Sequence, residues 1–263
     1  MQPRILPLED HEISDELVKI LTKKRIKFLT NVRIDEIKNV AGSAEVQITD
    51  SAGESQKLVA EKILIAVGRR PMSGEIGLEK LHVAMAREYV TVDKNMQTNV
   101  PGIFAIGDIV PTPALAHVAS HEGMLAMRHI AGDHPEPLNY DLAPACIFCR
   151  PEVARVGLTE AEARARGFDV ITSKFPFAAI GKAAILGESE GFVKLVSEKK
   201  YKQILGIHMI GPHVTEMITE GTCLIGLEGT AADLSHLIHP HPTVSEGIME
   251  AAHALYSGAA IHI

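Results

Sequence analysis

Ile63-Leu64-Ile65-Ala66-Val67-Gly68 is an unbroken apolar run closed by a glycine. No polar residue alternates within it, so it reads as a strand covered on both faces, the pattern of a central strand in a parallel sheet. Gly68 allows a tight exit, and Arg69-Arg70-Pro71 follows. The two arginines can meet a phosphate or face water. A second run, Ile103-Phe104-Ala105-Ile106, repeats the pattern and is closed by Gly107-Asp108. A carboxylate at the carboxyl end of such a strand lies where open α/β sheets bind ligands. Asp108 can accept from a ribose or ribityl hydroxyl there, while a simple turn is the alternative. The two runs place the first half of the chain in the α/β class.

Outward from these runs, the spacing of Leu17, Val18, Ile20 and Leu21 predicts a helix from about Ser14, as N-cap, to Arg25. A short strand is expected over Lys27 to Thr30. Val32 to Val40 and Ala44 to Thr49 form a hairpin about Ala41-Gly42-Ser43, and Leu58 to Ala60 follows as a strand. Between the two buried runs lies a short strand, Val90 to Val92. Beyond the second run, Ala114 to Ile130 reads as a helix, and Pro135 with Pro137 marks a linker. The remainder is α+β in style. Its strands are Ala145 to Phe148, Val153 to Gly157, Val170 to Lys174, Phe192 to Ser197 and Ile204 to Ile210. Helices are expected after the Thr159/Glu162 capping box and over Thr215 to Leu227, Ala231 to Ser235 and Ser245 to Ser257. The expected segments are 1–70, 71–137 and 138–263.

The composition narrows the function classes. Of 263 residues, 46% are hydrophobic and 22% charged, which excludes collagenous and largely disordered chains. A net charge of −7 argues against a nucleic-acid partner, because duplex binding relies on a basic face. Three cysteines are too few for a secreted disulfide framework. No signal peptide is recognisable at the start, and no stretch approaches the ~20 apolar residues of a membrane span. The expected setting is cytoplasmic, without membrane. The 13 histidines are the compositional oddity.

One of them stands in the sharpest local motif, His239-Pro240-His241-Pro242-Thr243-Val244-Ser245-Glu246. Prolines fix the backbone on both sides of His241, and Thr243 or Ser245 can cap the helix that follows. Glu246 can accept from one imidazole nitrogen of His241 and leave the other facing outward as a base. A proline-rich turn with a capping carboxylate is the competing explanation. Cys146-Ile147-Phe148-Cys149 is a CxxC in an apolar, strand-like context, so its side chains point to opposite faces and a structural reading is favoured. His117 and His121 are spaced i, i+4 on a helix, but the pattern lacks the rest of a metal motif, and no metal site is expected.

In their order, ILIAVGRRP (63–71), TNVPGIFAIGD (98–108), ALAH (114–117) and HPHPTVSE (239–246) resemble the flavin-dependent pyridine nucleotide–disulfide oxidoreductases. PEVARVG (151–157), KFPF (174–177), GFVK (191–194) and ILGIHMIGP (204–212) extend the likeness from about Pro7 to Tyr256. Within the family it is nearest to the branch that oxidises dihydrolipoamide. The resemblance implies partial Rossmann-like NAD and FAD domain segments, then an α+β dimerisation domain of the glutathione-reductase type. It implies FAD and NAD as cofactors, with Asp108 on the ribityl chain, Leu115, Ala116 and His117 along the flavin at a helix start, and Gly68 near the nicotinamide nucleotide. His241 would be the acid/base for a dihydrolipoamide or lipoyl-protein thiol, oriented by Glu246 and serving the other subunit of a homodimer. A 2-oxoacid dehydrogenase complex is an implied partner. The family's GxGxxG motifs and CxxxxC redox pair do not occur in these residues, so an inactive portion, or a non-catalytic dimerisation module, is the expectation for the chain alone. Phe148, Cys149 and Arg150 and Pro111 also depart from the pattern. Glutathione and mercuric reductases are the nearest competitors, but the sequence ends AAIHI where paired cysteines would mark the latter.

Overall fold

The computed structural model describes residues 2–40 and 42–262. The chain divides into two compact units, Met1–Leu64 with Pro144–Ile263, and Ile65–Ala143. Among the described residues no helix is long and apolar enough to cross a membrane.

In the first unit, helix α1 spans His11–Lys23. It begins three residues before the expected cap: Asp10, not Ser14, caps it by accepting the Glu12 N–H at 3.1 Å. Ser14 instead lies inside the helix, buried, with its hydroxyl donating to Ile5 O at 2.5 Å. Strands β1 (Arg33–Val40), β2 (Ser43–Thr49) and β3 (Ser55–Ala60) form an antiparallel meander. The hairpin is as the alternation predicts, although Ala41 of its turn lies outside the described residues. Lys27 to Thr30 is not a strand.

The apolar run from Ile63 to Gly68 is also not a strand. Leu64, Ile65 and Val67 are 89%, 67% and 82% exposed. An apolar run specifies burial on two faces, but a strand also needs neighbours to take its N–H and C=O groups. No described strand pairs with this one. Ile103 to Ile106 fails similarly, keeping only a single bridge, Gln97 to Phe104. The second unit therefore holds little sheet: β4 (Met85–Ala86) and β5 (Tyr89–Val90), followed by helix α2 (Ala116–Ile130). Val83, Val90 and Val110 make one small apolar centre, and Met96, Leu125 and Ala126 another.

The remainder of the first unit closes on itself. Its strands are β6 (Ala145–Ile147), β7 (Glu152–Gly157), β8 (Val170–Pro176), β9 (Phe192–Glu198) and β10 (Ile204–Gly211). They pair antiparallel in the order β6-β7-β10-β9-β8. Helices α3 (Glu160–Ala165), α4 (Gly181–Leu186), α5 (Val214–Gly226), α6 (Ala231–His236) and α7 (Glu246–Ser257) complete it. The capping box of α3 forms as expected, Thr159 accepting the Glu162 N–H at 3.2 Å and Glu162 accepting the Thr159 N–H at 2.9 Å. Thr159→Ala should cost about 1 kcal/mol of stability, read as a lower urea midpoint.

Strand parity assigns the two sheet faces. Ala154, Val156, Phe175, Leu195, Ile207 and Met209 pack with Ile218 of α5 and Ile248, Ala251, Ala252 and Leu255 of α7 into the main core. On the opposite face Val153 and Ile210 meet Ile13, Leu17 and Ile20 of α1. Burying each of those α1 side chains contributes about 1.5–3 kcal/mol. Cys146 packs on the first face and Cys149 on the second, so the CxxC is split across the sheet as predicted. Both are free thiols, and burial pushes their pKa values up.

The second face also carries a rung of basic residues. Arg155, His208, Lys194 and Lys174 are successive cross-strand partners on β7, β10, β9 and β8. The acidic start of α1 lies across them. Glu9 pairs with Arg155 at 3.1 Å, Asp10 with Lys194 at 3.0 Å, and Glu12 with Lys194 at 2.6 Å and Lys174 at 2.5 Å. Glu160 of α3 adds a third carboxylate to Lys194 at 3.0 Å. The Lys194 side chain is 0% exposed.

Candidate functional site

Glu246 is the first residue of α7, and the turn before it brings His241 back onto its carboxylate. His241 Nδ1 lies 2.9 Å from Glu246 Oε1. The second carboxylate oxygen accepts the Thr243 N–H at 2.9 Å, and the Thr243 hydroxyl donates to Pro240 O at 2.7 Å. The carboxylate is thus fixed from two sides. Burial works against its ionisation, but the Thr243 N–H and the His241 bond outweigh it and hold the Glu246 pKa below the usual carboxylate value. An ionised carboxylate only accepts, so Nδ1 of neutral His241 carries the proton and Nε2 keeps its lone pair. The His241 side chain is 76% exposed and Glu246 only 14%. The pair is thus an exposed imidazole seated on a largely buried carboxylate. Ser245 occupies the N-cap, but its side chain makes no cap bond, and its hydroxyl meets that of Thr243 at 2.9 Å.

Sequence reasoning missed a second pair two residues away. His239 Nε2 lies 2.8 Å from Glu220 Oε1 of α5, and its Nδ1 lies 3.1 Å from Leu237 O. The Glu220 hydrogen bond raises the His239 pKa against the cost of burial. This imidazole ties the loop that carries His241 to α5. The repeated His-Pro was the one signal for it in the sequence.

The second unit holds the other candidates. Leu115 is the N-cap of α2 and Ala116 its first residue, with no side-chain cap bond at that end. Gly107 has φ 72°, and its N–H donates to Glu122 Oε2 at 2.7 Å. Glu122 is fully buried and also accepts the Tyr140 hydroxyl at 3.0 Å, fixing the Gly-Asp turn. Asp108, in that turn, pairs with Arg69 at 2.9 Å, and Arg69 also donates to Ala114 O at 3.0 Å. Both arginines therefore meet carboxylates, Arg69 that of Asp108 and Arg70 that of Glu88 at 3.9 Å. His117 lies in the first turn of α2, its carbonyl 2.8 Å from His121 Nδ1. Gly68 has φ 106° and open space where a Cβ would project. A half-exposed carboxylate, an uncapped helix start and a glycine without neighbours suit a polyhydroxylated, anionic cofactor.

Two family models match the chain. "Pyridine nucleotide-disulphide oxidoreductase" covers residues 1–123, and its dimerisation domain covers residues 143–252. Dihydrolipoyl dehydrogenase of Bacillus subtilis is 46% identical over 98% of this chain and 55% of its own length. That of Rhizobium etli is 42% identical over 95% of this chain and 52% of its own. The chain therefore spans about half the length of the curated relatives it matches. Among solved structures, LpdA of Mycobacterium tuberculosis superposes with a TM-score of 0.87 at 25% identity, over 97% of this chain and 55% of that one. The HOCl-induced flavoprotein disulfide reductase RclA of Escherichia coli gives 0.84 at 25% identity, over 95% of this chain and 57% of its own. With both family models on it, the chain belongs to the pyridine nucleotide–disulphide oxidoreductases.

Proposed function

We propose that this chain supplies the acid–base residue and the dimerisation domain of a dihydrolipoyl dehydrogenase, which oxidises dihydrolipoamide with NAD as the final acceptor. The observation that carries this reading is the His241–Glu246 pair, an exposed imidazole whose Nδ1 is held at 2.9 Å by an ionised carboxylate. Similarity to dihydrolipoyl dehydrogenases at 46% and 42% identity supports the choice of substrate over glutathione or mercuric ion.

In the proposed reaction His241 Nε2 takes the proton of a dihydrolipoamide thiol. Glu246 accepts from Nδ1, so it stabilises the imidazolium that forms and keeps the ring aimed outward. The thiolate so formed attacks a redox disulfide of the other subunit of a homodimer, breaking its S–S bond and releasing one of its sulfurs as a thiolate. That disulfide lies outside these 263 residues, whose three cysteines form no CxxxxC pair. FAD supplies a two-electron carrier between that disulfide and NAD. In this chain Asp108 would hold its ribityl hydroxyls, releasing Arg69. The start of α2 at Ala116 and His117 would turn backbone N–H groups toward its pyrimidine edge, with Leu115, whose own N–H donates to Pro113 O at 2.8 Å, lying along the ring. Gly68 leaves room for the nicotinamide nucleotide. Residues 1–70 correspond in this reading to part of an NAD domain, 71–137 to part of an FAD domain and 138–263 to the interface domain. The setting is cytoplasmic, and the lipoyl-bearing partner is a subunit of a 2-oxoacid dehydrogenase complex.

The strand patterns at 63–68 and 103–106, which belong to no sheet among the described residues, fit a sheet completed by segments present in the relatives beyond their alignment with this chain. The purified 263-residue chain should accordingly show no dihydrolipoamide-dependent NAD reduction. Measurable turnover by the chain alone would overturn the placing of the redox disulfide and the missing strands outside these residues, not the choice of substrate.

A further inference from the structure

The residues after α7 place a third histidine against the same row of carboxylates. Glu246 and Glu250 are four residues apart on α7 and share one face of it, a turn apart. Gly258, with φ 87°, ends the helix and turns the chain back, and Ala260 packs onto the main core. Buried Glu250 then takes the returning segment with both oxygens. Its Oε2 accepts the N–H groups of Ile261 at 2.7 Å and His262 at 3.3 Å, and its Oε1 lies 2.5 Å from His262 Nδ1. The His262 ring is itself 70% exposed. One turn along the same face, Glu246 is the carboxylate that orients His241.

We propose that His262 is a positioning residue of the acid–base pair: pinned by Glu250, it holds a second imidazole, a cation when protonated, beside Glu246 and so favours the carboxylate form that orients His241. The inference rests on the acid–base role given above for His241 and Glu246. Two imidazoles act on Glu246 in this arrangement, and a third responds to it. His241 bonds it directly, His262 adds to the charges that lower its pKa, and His239, held by Glu220, feels its charge in turn. Two carboxylates face the cluster from their own partners, Glu250 from α7 and Glu220 from α5.

The test uses the chain by itself, following the carboxyl carbon of Glu246 by NMR through acid titration. His262→Asn keeps a side-chain N–H for Glu250 but carries no charge. It should raise the Glu246 midpoint by about half a pH unit, the size expected of one charge several ångströms away in solvated surroundings. His262→Lys, which keeps a cation, should retain the wild-type midpoint. An unchanged midpoint in His262→Asn, with the Ile261 amide still protected from exchange, would overturn the proposal. So would an equal rise in His262→Lys. Because no substrate is present, these outcomes are independent of whether His241 proves to be the base, which turnover decides separately.

Discussion

Lys194→Met should lower the stability of the first unit by about 3–5 kcal/mol, the penalty for removing one partner from a buried ion-pair cluster. The side chain is fully buried among Asp10, Glu12 and Glu160, all within 3.0 Å of its Nζ. Methionine fills similar volume, so the loss reports uncompensated carboxylates more than a cavity. Adding Asp10→Asn and Glu160→Gln to Lys194→Met should recover part of the loss, which distinguishes charge from packing. Urea unfolding of the single and triple variants checks this.

The same cluster fixes the sign of the pH dependence. Burial opposes ionisation of Asp10, Glu12 and Glu160, but the Lys194 bonds, joined at Glu12 by Lys174, outweigh it and lower all three pKa values. Groups lowered on folding contribute stability that is full above their unfolded values, about 3.9–4.3, and lost as pH falls through the folded ones. Lys194 is raised on balance, so its contribution is full below about 10.4 and lost only as pH rises further. His208 adds to the acid loss. Burial lowers its pKa, so protonation begins to favour the unfolded chain below about 6.5. Glu9 acts oppositely, because burial raises it despite Arg155. The melting temperature should fall on acidification, and Lys194→Met should flatten that fall below pH about 4.

The second large effect is on rate. A chimaera in which this chain replaces the aligned half of the Bacillus subtilis dihydrolipoyl dehydrogenase brings His241 together with a complete enzyme. There His241→Gln should lower dihydrolipoamide turnover by about 10²–10⁴-fold, the contribution of a positioned general base. Glutamine can still offer an N–H to Glu246, so the loop should survive, and flavin absorbance should be unchanged. Loss of bound flavin would mark a folding defect instead.

What the sequence made legible follows from how far apart the interacting groups lie. The five-stranded sheet could be read strand by strand, because each strand finds its neighbours within residues 145–211 and alternation has a face to bury on each side. The capping box at Thr159 and the His241–Glu246 pair were legible because three and five residues of backbone settle them. The runs at 63–68 and 103–106 misled because hydrophobicity specifies what a strand buries and not which strand it pairs with. His239 with Glu220 and Lys194 with Asp10 were invisible for a related reason. They are 19 and 184 residues apart, and only the packing of α5 and α1 brings them together. The start of α1 was misplaced because Asp10 and Ser14 are both good caps. The choice between them is made by the basic rung, which claims the acidic residues ahead of Ser14.

The most direct measurement is stopped-flow observation of flavin absorbance in that chimaera, with each half-reaction taken separately. With dihydrolipoamide as reductant, His241→Gln should slow flavin reduction by at least about a hundredfold near neutral pH. With NADH as reductant in the reverse direction, flavin reduction should keep its wild-type rate, because no thiol proton is moved before hydride transfer. Equal rates with dihydrolipoamide for the unsubstituted chimaera and its His241→Gln variant, both retaining their flavin, would contradict the assignment of His241 as the base.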